Sequence, residues 1–214
     1  MEQRSTEWFD SRLGKLTGSM AVNVMGTPAA RRRYLIEKAV EIATGEFKEI
    51  HSKYLTFGID QEPAAVAAYT LQTGLAVEHI GMVTLDYLPR VACSPDGLVV
   101  EKTSVFVQID KGEEEEIITR KKGVIEVKSR YDVSKHVGTI FDDKIPKEYL
   151  PQCHWNMWVT KTDFCDYVSY CPAMPPSSRL HIVRLERDED YIYTMQEKAA
   201  GFIIELDQLV ERLL

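Results

Sequence analysis

The stretch from Cys93 to Arg130 limits this chain most. It opens as Cys93-Ser94-Pro95-Asp96-Gly97-Leu98 and closes as Val124-Ile125-Glu126-Val127-Lys128-Ser129. In the closing part β-branched residues alternate with charged ones, the pattern of a strand. Residues two apart on a strand share a face, so Glu126 and Lys128 project together while Ile125 and Val127 point into the core. A carboxylate beside an ammonium on a buried sheet is costly unless the pair is matched or bound to a metal. Asp96, between a proline and a glycine, belongs to a turn where backbone approaches a ligand closely. Two readings follow. In one, Asp96 and Glu126 are oxygen ligands for Mg²⁺ and Lys128 orients water at a phosphodiester. In the other, they are a surface turn and an amphipathic strand carrying an ion pair.

A chain of 214 residues with 44% hydrophobic and 28% charged side chains suits one globular domain, residues 1–214, with a sizeable core. It has no apolar run of membrane-spanning length and no signal-peptide pattern at its start. Cys93, Cys153, Cys165 and Cys171 lack CxxC spacing, which disfavours zinc or a disulfide framework. A cytoplasmic location is expected. The net charge of −7 argues against general coating of nucleic acid, although Arg31-Arg32-Arg33 and Arg120-Lys121-Lys122 are local basic patches. Each reads equally as a solvated helix end or loop.

Gln3 to Met20 reads as a helix and turn, with Ser19 a candidate cap for the next helix. Residues 31–44 carry an apolar stripe, Leu35, Ile36, Ala39, Val40 and Ala43, closed by Gly45. Asp60 to Thr73 reads as a helix with Asp60 as cap, Pro63 in its first turn and Gly74 at its end. Glu62 then sits where the helix dipole favours an anion. Val77 to Leu88, Leu98 to Val100 and Ser104 to Ile109 read as strands, and Lys111-Gly112-Glu113 as a turn. Glu113 to Glu116 reads as a solvated acidic run within a hairpin insert. Tyr131 to Lys144 reads as loop with a short helix, and Glu148 to Thr160 as a helix bearing Gln152. Two paired strands, Phe164 to Tyr170 and Leu180 to Leu185, precede a final helix opened by Asp188. The expected architecture is α/β (α+β): a central mixed β-sheet flanked by helices.

Five blocks, in order, resemble the lambda-type phage alkaline exonucleases, the YqaJ-like viral recombinases of the PD-(D/E)XK nuclease superfamily. They are Glu7-Trp8 with Arg12-Leu13-Gly14, Thr17 and Ser19; Phe57-Gly58 with Glu62; Cys93 to Leu98 with Glu126-Val127-Lys128; Tyr149 to Thr160 with Gln152; and Glu186 to Glu189 with Tyr191. The interval between Asp96 and Glu126 is longer than in the lambda enzyme, which supports an added β-hairpin. The segment before Arg31 is shorter, so any of Arg31, Arg32 and Arg33 could replace the family's second N-terminal arginine.

The resemblance implies a PD-(D/E)XK nuclease fold and a 5′→3′ exonuclease on linear double-stranded DNA that leaves 3′ single-stranded tails for phage-type recombination by strand annealing. It implies two Mg²⁺ ions per site, with Mn²⁺ able to substitute. Asp96, Glu126, Glu62 and the Val127 carbonyl would be ligands, Lys128 would activate or position water, and Gln152 would position the nucleophile or the DNA backbone. Arg12, Ser19 and Ser94 would bind the 5′-phosphate. It further implies a ring-shaped homotrimer, a single-strand annealing partner and a phage or prophage origin in a bacterial host. The rivals are a restriction-type PD-(D/E)XK endonuclease, a Cas4-like enzyme whose iron–sulfur cluster the cysteine spacing does not suit, and an inactive DNA-end-binding protein.

Overall fold

The computed structural model describes residue 8 and residues 11–46, 52–109 and 113–214, with backbone alone at 105–109 and 113–117. In chain order the elements are β1 (Leu16–Thr17), a 3₁₀ turn (Gly18–Met20), α1 (Ala21–Met25), α2 (Pro28–Thr44), α3 (Lys53–Thr73), β2 (Val83–Leu85), β3 (Leu88–Cys93), β4 (Gly97–Ile109), β5 (Glu113–Ser129), α4 (Val133–Asp142), α5 (Leu150–Thr160), β6 (Phe164–Tyr170), a second 3₁₀ turn (Pro176–Ser178), β7 (Leu180–Glu186) and α6 (Glu189–Glu211). Residues 1–7 and 9–10, and with them Glu7, lie outside the described residues, as does the Lys111-Gly112 turn.

Helix boundaries follow local chemistry. Thr27 caps α2 by accepting from Ala30 N at 3.3 Å, with Pro28 opening the helix, and Asp188 caps α6 by accepting from Tyr191 N at 3.0 Å. Gly45 and Gly74 end α2 and α3 in the left-handed region, at φ 69° and 72°. Ser19 caps nothing: it lies inside the 3₁₀ turn, and Met20 precedes α1 without a side-chain cap. Helix α3 starts seven residues before the expected Asp60. Ser52 caps it by accepting from Leu55 N at 3.1 Å, so Pro63 lies inside the helix and Glu62 in its middle. Dipole compensation at a helix start therefore does not explain Glu62.

Two mixed sheets form, in orders β1-β3-β2 and β4-β5-β6-β7. The expected strand over Val77 to Leu88 is short because residue 78 bridges instead to Leu98, exchanging both backbone hydrogen bonds at 2.8 Å. Strands β4 and β5 are continuous, paired from Gly97↔Ile125 to Ile109↔Glu113. Arg120-Lys121-Lys122 accordingly lies within β5 and not in a loop, and Lys121 reaches Glu186 at 3.3 Å. Helix α5 lies between the sheets. Its Trp155, Trp158 and Val159 pack with Leu16, Val91 and α6, and its Cys153 and Met157 pack on Val124, Cys165 and Tyr167. Helix α3 covers the opposite face of β5, setting Ala65, Val66 and Tyr69 against Ile125 and Val127. Both faces of β5 are thus roofed by helices. Among the described residues no helix is long and apolar enough to cross a membrane.

A polar tie fixes α3 on the sheet. Buried Asp166 accepts from Tyr69 Oη at 2.7 Å and from Arg184 Nε and Nη2 at 2.8 and 2.9 Å. Arg184 also stacks on the Phe164 ring at 3.8 Å, and that ring lies over Gly123. A Cβ at Gly123 would stand 2.2 Å from Phe164 Cε2. The ring, held between arginine and strand, has nowhere to move. Gly123→Ala is therefore expected to cost about 1–3 kcal/mol by overpacking, read as a lower midpoint in chemical denaturation. An unchanged midpoint would show that the ring repacks freely.

Candidate active site

The site forms where β4 leaves β5. Pairing ends at Gly97↔Ile125, so the next outward-facing backbone groups of β5 lose their strand partner. Asp96 takes over: Val127 N donates to Asp96 Oδ2 at 2.6 Å, and Asp96 N donates to Ile125 O at 3.3 Å. In an extended strand the N–H and C=O of one residue face the same neighbour. The Val127 carbonyl therefore faces the slot that Asp96 occupies. Gly97, which follows Asp96, has no room for a side chain: a Cβ there would meet Val77 Cγ1 at 2.2 Å.

Glu126 and Lys128 share the face of β5 under α5. Glu126 is only 2% exposed, and Lys128 Nζ lies 2.5 Å from its Oε1. The other oxygen, Oε2, accepts from Asn156 Nδ2 at 2.8 Å. Lys128 Nζ also lies 5.1 Å from the centre of the Tyr149 ring, which Arg130 approaches at 5.0 Å. Gln152 sits in the first turn of α5, four residues before Asn156, hence on the helix face that overlooks Glu126. Burial opposes the charge on Lys128, but Glu126 and Asp96 outweigh it and raise its pKa above the usual lysine value. Lys128 is a cation at neutral pH.

Asp96 is pushed the other way. Burial comes first, then the negative fields of Glu126 and Glu62, and together they hold its pKa well above the usual carboxylate value despite Lys128 and the Val127 N–H. Glu62, from mid-α3, thus lies close enough to Asp96 to be felt. Three carboxylates, a backbone carbonyl and one ammonium make a hard-oxygen site with surplus negative charge. Among the described residues no three His, Cys, Asp or Glu side chains close into a ready metal cage. That donor set fits Mg²⁺, which is held by one or two carboxylates and retains waters, better than a caged Zn²⁺.

The raised Asp96 pKa has a consequence for stability. Between the ordinary carboxylate pKa of about 3.9 and the raised one, the native state binds the proton and the unfolded state does not. This contribution to stability is complete below the unfolded pKa and is lost as pH rises through the folded one. In chelator, Asp96→Asn should therefore flatten the fall of Tm with pH. It should also exceed the parent at neutral pH by about 2–4 °C, the shift that ~1 kcal/mol gives a chain of this size. A variant less stable than the parent at neutral pH would contradict the charge surplus.

The N-terminal residues meet the same region by strand pairing. β1 runs parallel to β3 with Thr17 opposite Ala92, so Ser19 and Ser94 each leave the pair at the same end. Arg12 Nη2 donates to Thr17 Oγ1 at 3.2 Å, Thr17 Oγ1 lies 3.4 Å from Ser19 Oγ, and the Arg12 guanidinium stacks 4.1 Å from the Trp8 ring centre. Burial lowers the Arg12 pKa, and Tyr34 and Glu41 oppose it. Arg12 Nε and Ser94 Oγ are buried without a hydrogen-bond partner among the described residues. Each is a buried polar group that keeps the capacity to donate to an acceptor. Of the second arginine candidates, Arg31 is committed to Glu205 at 2.7 and 2.9 Å, Arg33 pairs with Glu37 at 3.8 Å, and Arg32 is exposed.

Sequence reasoning missed Asn156. Its signal was its place four residues after Gln152 on one helix face, which becomes informative only when that face is known to cover Glu126.

Residues 7–163 match the model of the YqaJ-like viral recombinase domain. The chain is 31% identical over 71 residues to the uncharacterized protein ExoD of Escherichia coli (strain K12), covering 33% of this chain and 80% of that protein. Among solved structures it resembles the alkaline exonuclease LHK-Exo from Laribacter hongkongensis, with a TM-score of 0.82 and 31% identity over 98% of this chain and 96% of that one. LHK-Exo in complex with dAMP gives a TM-score of 0.83 at the same identity and coverage. A phage-related exonuclease from Haemophilus somnus 129PT shares the fold at 15% identity, with a TM-score of 0.72 over 94% of this chain and 96% of that one.

Proposed function

Since the chain belongs to the YqaJ-like viral recombinase domain family, we propose that it is a Mg²⁺-dependent exonuclease that degrades linear double-stranded DNA from 5′ to 3′. The 3′ single-stranded tails it leaves would serve recombination by strand annealing. The coarser statement, a nuclease of the phage alkaline exonuclease type, rests on a likeness to LHK-Exo spanning nearly the whole of both chains. The observation that carries the finer one is the slot beside Val127, where Asp96, Glu126 and Lys128 converge. LHK-Exo was solved with dAMP, a deoxynucleoside monophosphate, the class of product that stepwise DNA hydrolysis releases.

In this reading Asp96, Glu126, Glu62 and the Val127 carbonyl hold two Mg²⁺ ions, with Mn²⁺ able to substitute. The metal supplies Lewis-acid activation of water and neutralises charge on the phosphodiester. Lys128 holds its proton and offers N–H donors to the attacking water and the developing negative charge. Gln152, over the same face, orients the water or the DNA backbone. Arg12, Ser19 and Ser94 receive the terminal 5′-phosphate, Arg12 as a charge-assisted donor. A homotrimeric ring would let an acidic chain retain DNA topologically, and a single-strand annealing protein would receive the tail.

Polarity is the test. Duplexes labelled at one 5′ or one 3′ end are digested with Mg²⁺, and early release of the 5′ label is the expected result. Early release of the 3′ label, or internal cuts, would replace the proposal with a different exonuclease or an endonuclease.

A further inference from the structure

The two oxygens of Glu126 have partners of different kinds. Oε1 faces Lys128 Nζ, a long cationic side chain that is 23% exposed. Oε2 faces Asn156 Nδ2 at 2.8 Å, and Asn156 is 1% exposed. Nδ2 is the end that must face a carboxylate, because Oδ1 there would repel it. The other end of the carboxamide is set against Gly18: a Cβ built on Gly18 would stand 2.5 Å from Asn156 Oδ1. The 3₁₀ turn (Gly18–Met20) is therefore the floor on which the Asn156 side chain rests.

On the functional reading above, we propose that Asn156 is a positioning residue for the reaction, and that Gly18 holds it in place. Lys128, a flexible cation, would yield Oε1 to a bound divalent cation, whereas Asn156 is neutral and would keep its hydrogen bond to Oε2, holding the Glu126 carboxylate in its orientation. Hydrogen bonds to ligating carboxylates typically change metal affinity or activity by about 10- to 100-fold when removed.

The test titrates Mn²⁺ into purified full-length protein by calorimetry, without DNA, alongside Tm, kcat and KM for a short duplex. Asn156→Leu keeps similar bulk and removes the donor. Gly18→Ala keeps Asn156 and pushes its carboxamide away, so it stands as the second route if the leucine variant folds poorly. Both should weaken Mn²⁺ binding by about 10- to 100-fold and lower kcat, while KM for the duplex stays near that of the parent. If both variants lose only Tm, with the Mn²⁺ Kd of the folded protein unchanged, Asn156 is merely structural and the inference fails. If the parent itself binds no Mn²⁺, the functional reading fails and takes the inference with it.

Discussion

Lys128→Ala is expected to lower turnover on linear duplex DNA by about 10²- to 10⁴-fold while Mn²⁺ binding stays at the parent's level or tightens. An ammonium cannot ligate a cation, and at 2.5 Å from Glu126 Oε1 it occupies an oxygen that the metal needs. Its removal deprives the reaction of a fixed positive charge and leaves the ligands in place. Asp96→Ala is expected to lose both turnover and metal affinity, because Asp96 is the carboxylate seated against the Val127 N–H and inside the field of Glu126 and Glu62. Single-turnover cleavage and Mn²⁺ calorimetry on the two variants separate these outcomes. An equal loss of metal affinity in both would contradict the assigned roles.

The second large effect concerns the DNA end. Arg12→Ala should weaken the preference for 5′-phosphate over 5′-hydroxyl ends by roughly 10- to 150-fold, the equivalent of about 1.5–3 kcal/mol for a charge-assisted contact. Arg12 is held by Trp8 on its face and Thr17 at one nitrogen, which leaves Nε without an acceptor, as Ser94 Oγ is. A guanidinium fixed this way is pre-organised for an anion. Arg12→Lys keeps the charge without the planar fork, so it should recover only part of the preference. Initiation rates on the two end types, at fixed Mg²⁺ and salt, are the quantities to compare. If Arg12→Ala slows both equally, the phosphate is bound elsewhere.

Much of the architecture was legible because single elements carry their own boundary signals. The apolar stripe of α2 with Gly45 behind it, and the Asp188 cap that opens the final helix, mark helices that the structure shows close to the expected limits. Helix α3 was misread because Asp60 and Pro63 imitate a helix start, while the cap in use, Ser52, lies in a polar stretch without periodicity. The length of β4 and β5 was hidden for a related reason: Lys102-Thr103 and Arg120 to Lys122 look like breaks, but a long two-stranded pairing tolerates polar residues on its exposed face. The side-by-side placement of Glu126 and Lys128 could be read from strand alternation alone. The burial of Glu126 could not, since it depends on α5 covering that face. Asn156, Gly18 and the Asp166–Arg184–Tyr69 tie join residues distant in sequence and leave no local pattern.

Linear and covalently closed circular duplexes of one sequence, incubated with the protein and Mg²⁺ and again with chelator, separate an exonuclease from its rivals. The expected result is that the linear form alone is degraded, that chelator stops it, and that Asp96→Asn protein leaves both forms intact. Cutting of the closed circle, or degradation that survives chelator or the Asp96→Asn substitution, would contradict a metal-dependent exonuclease built on Asp96, Glu126 and Lys128.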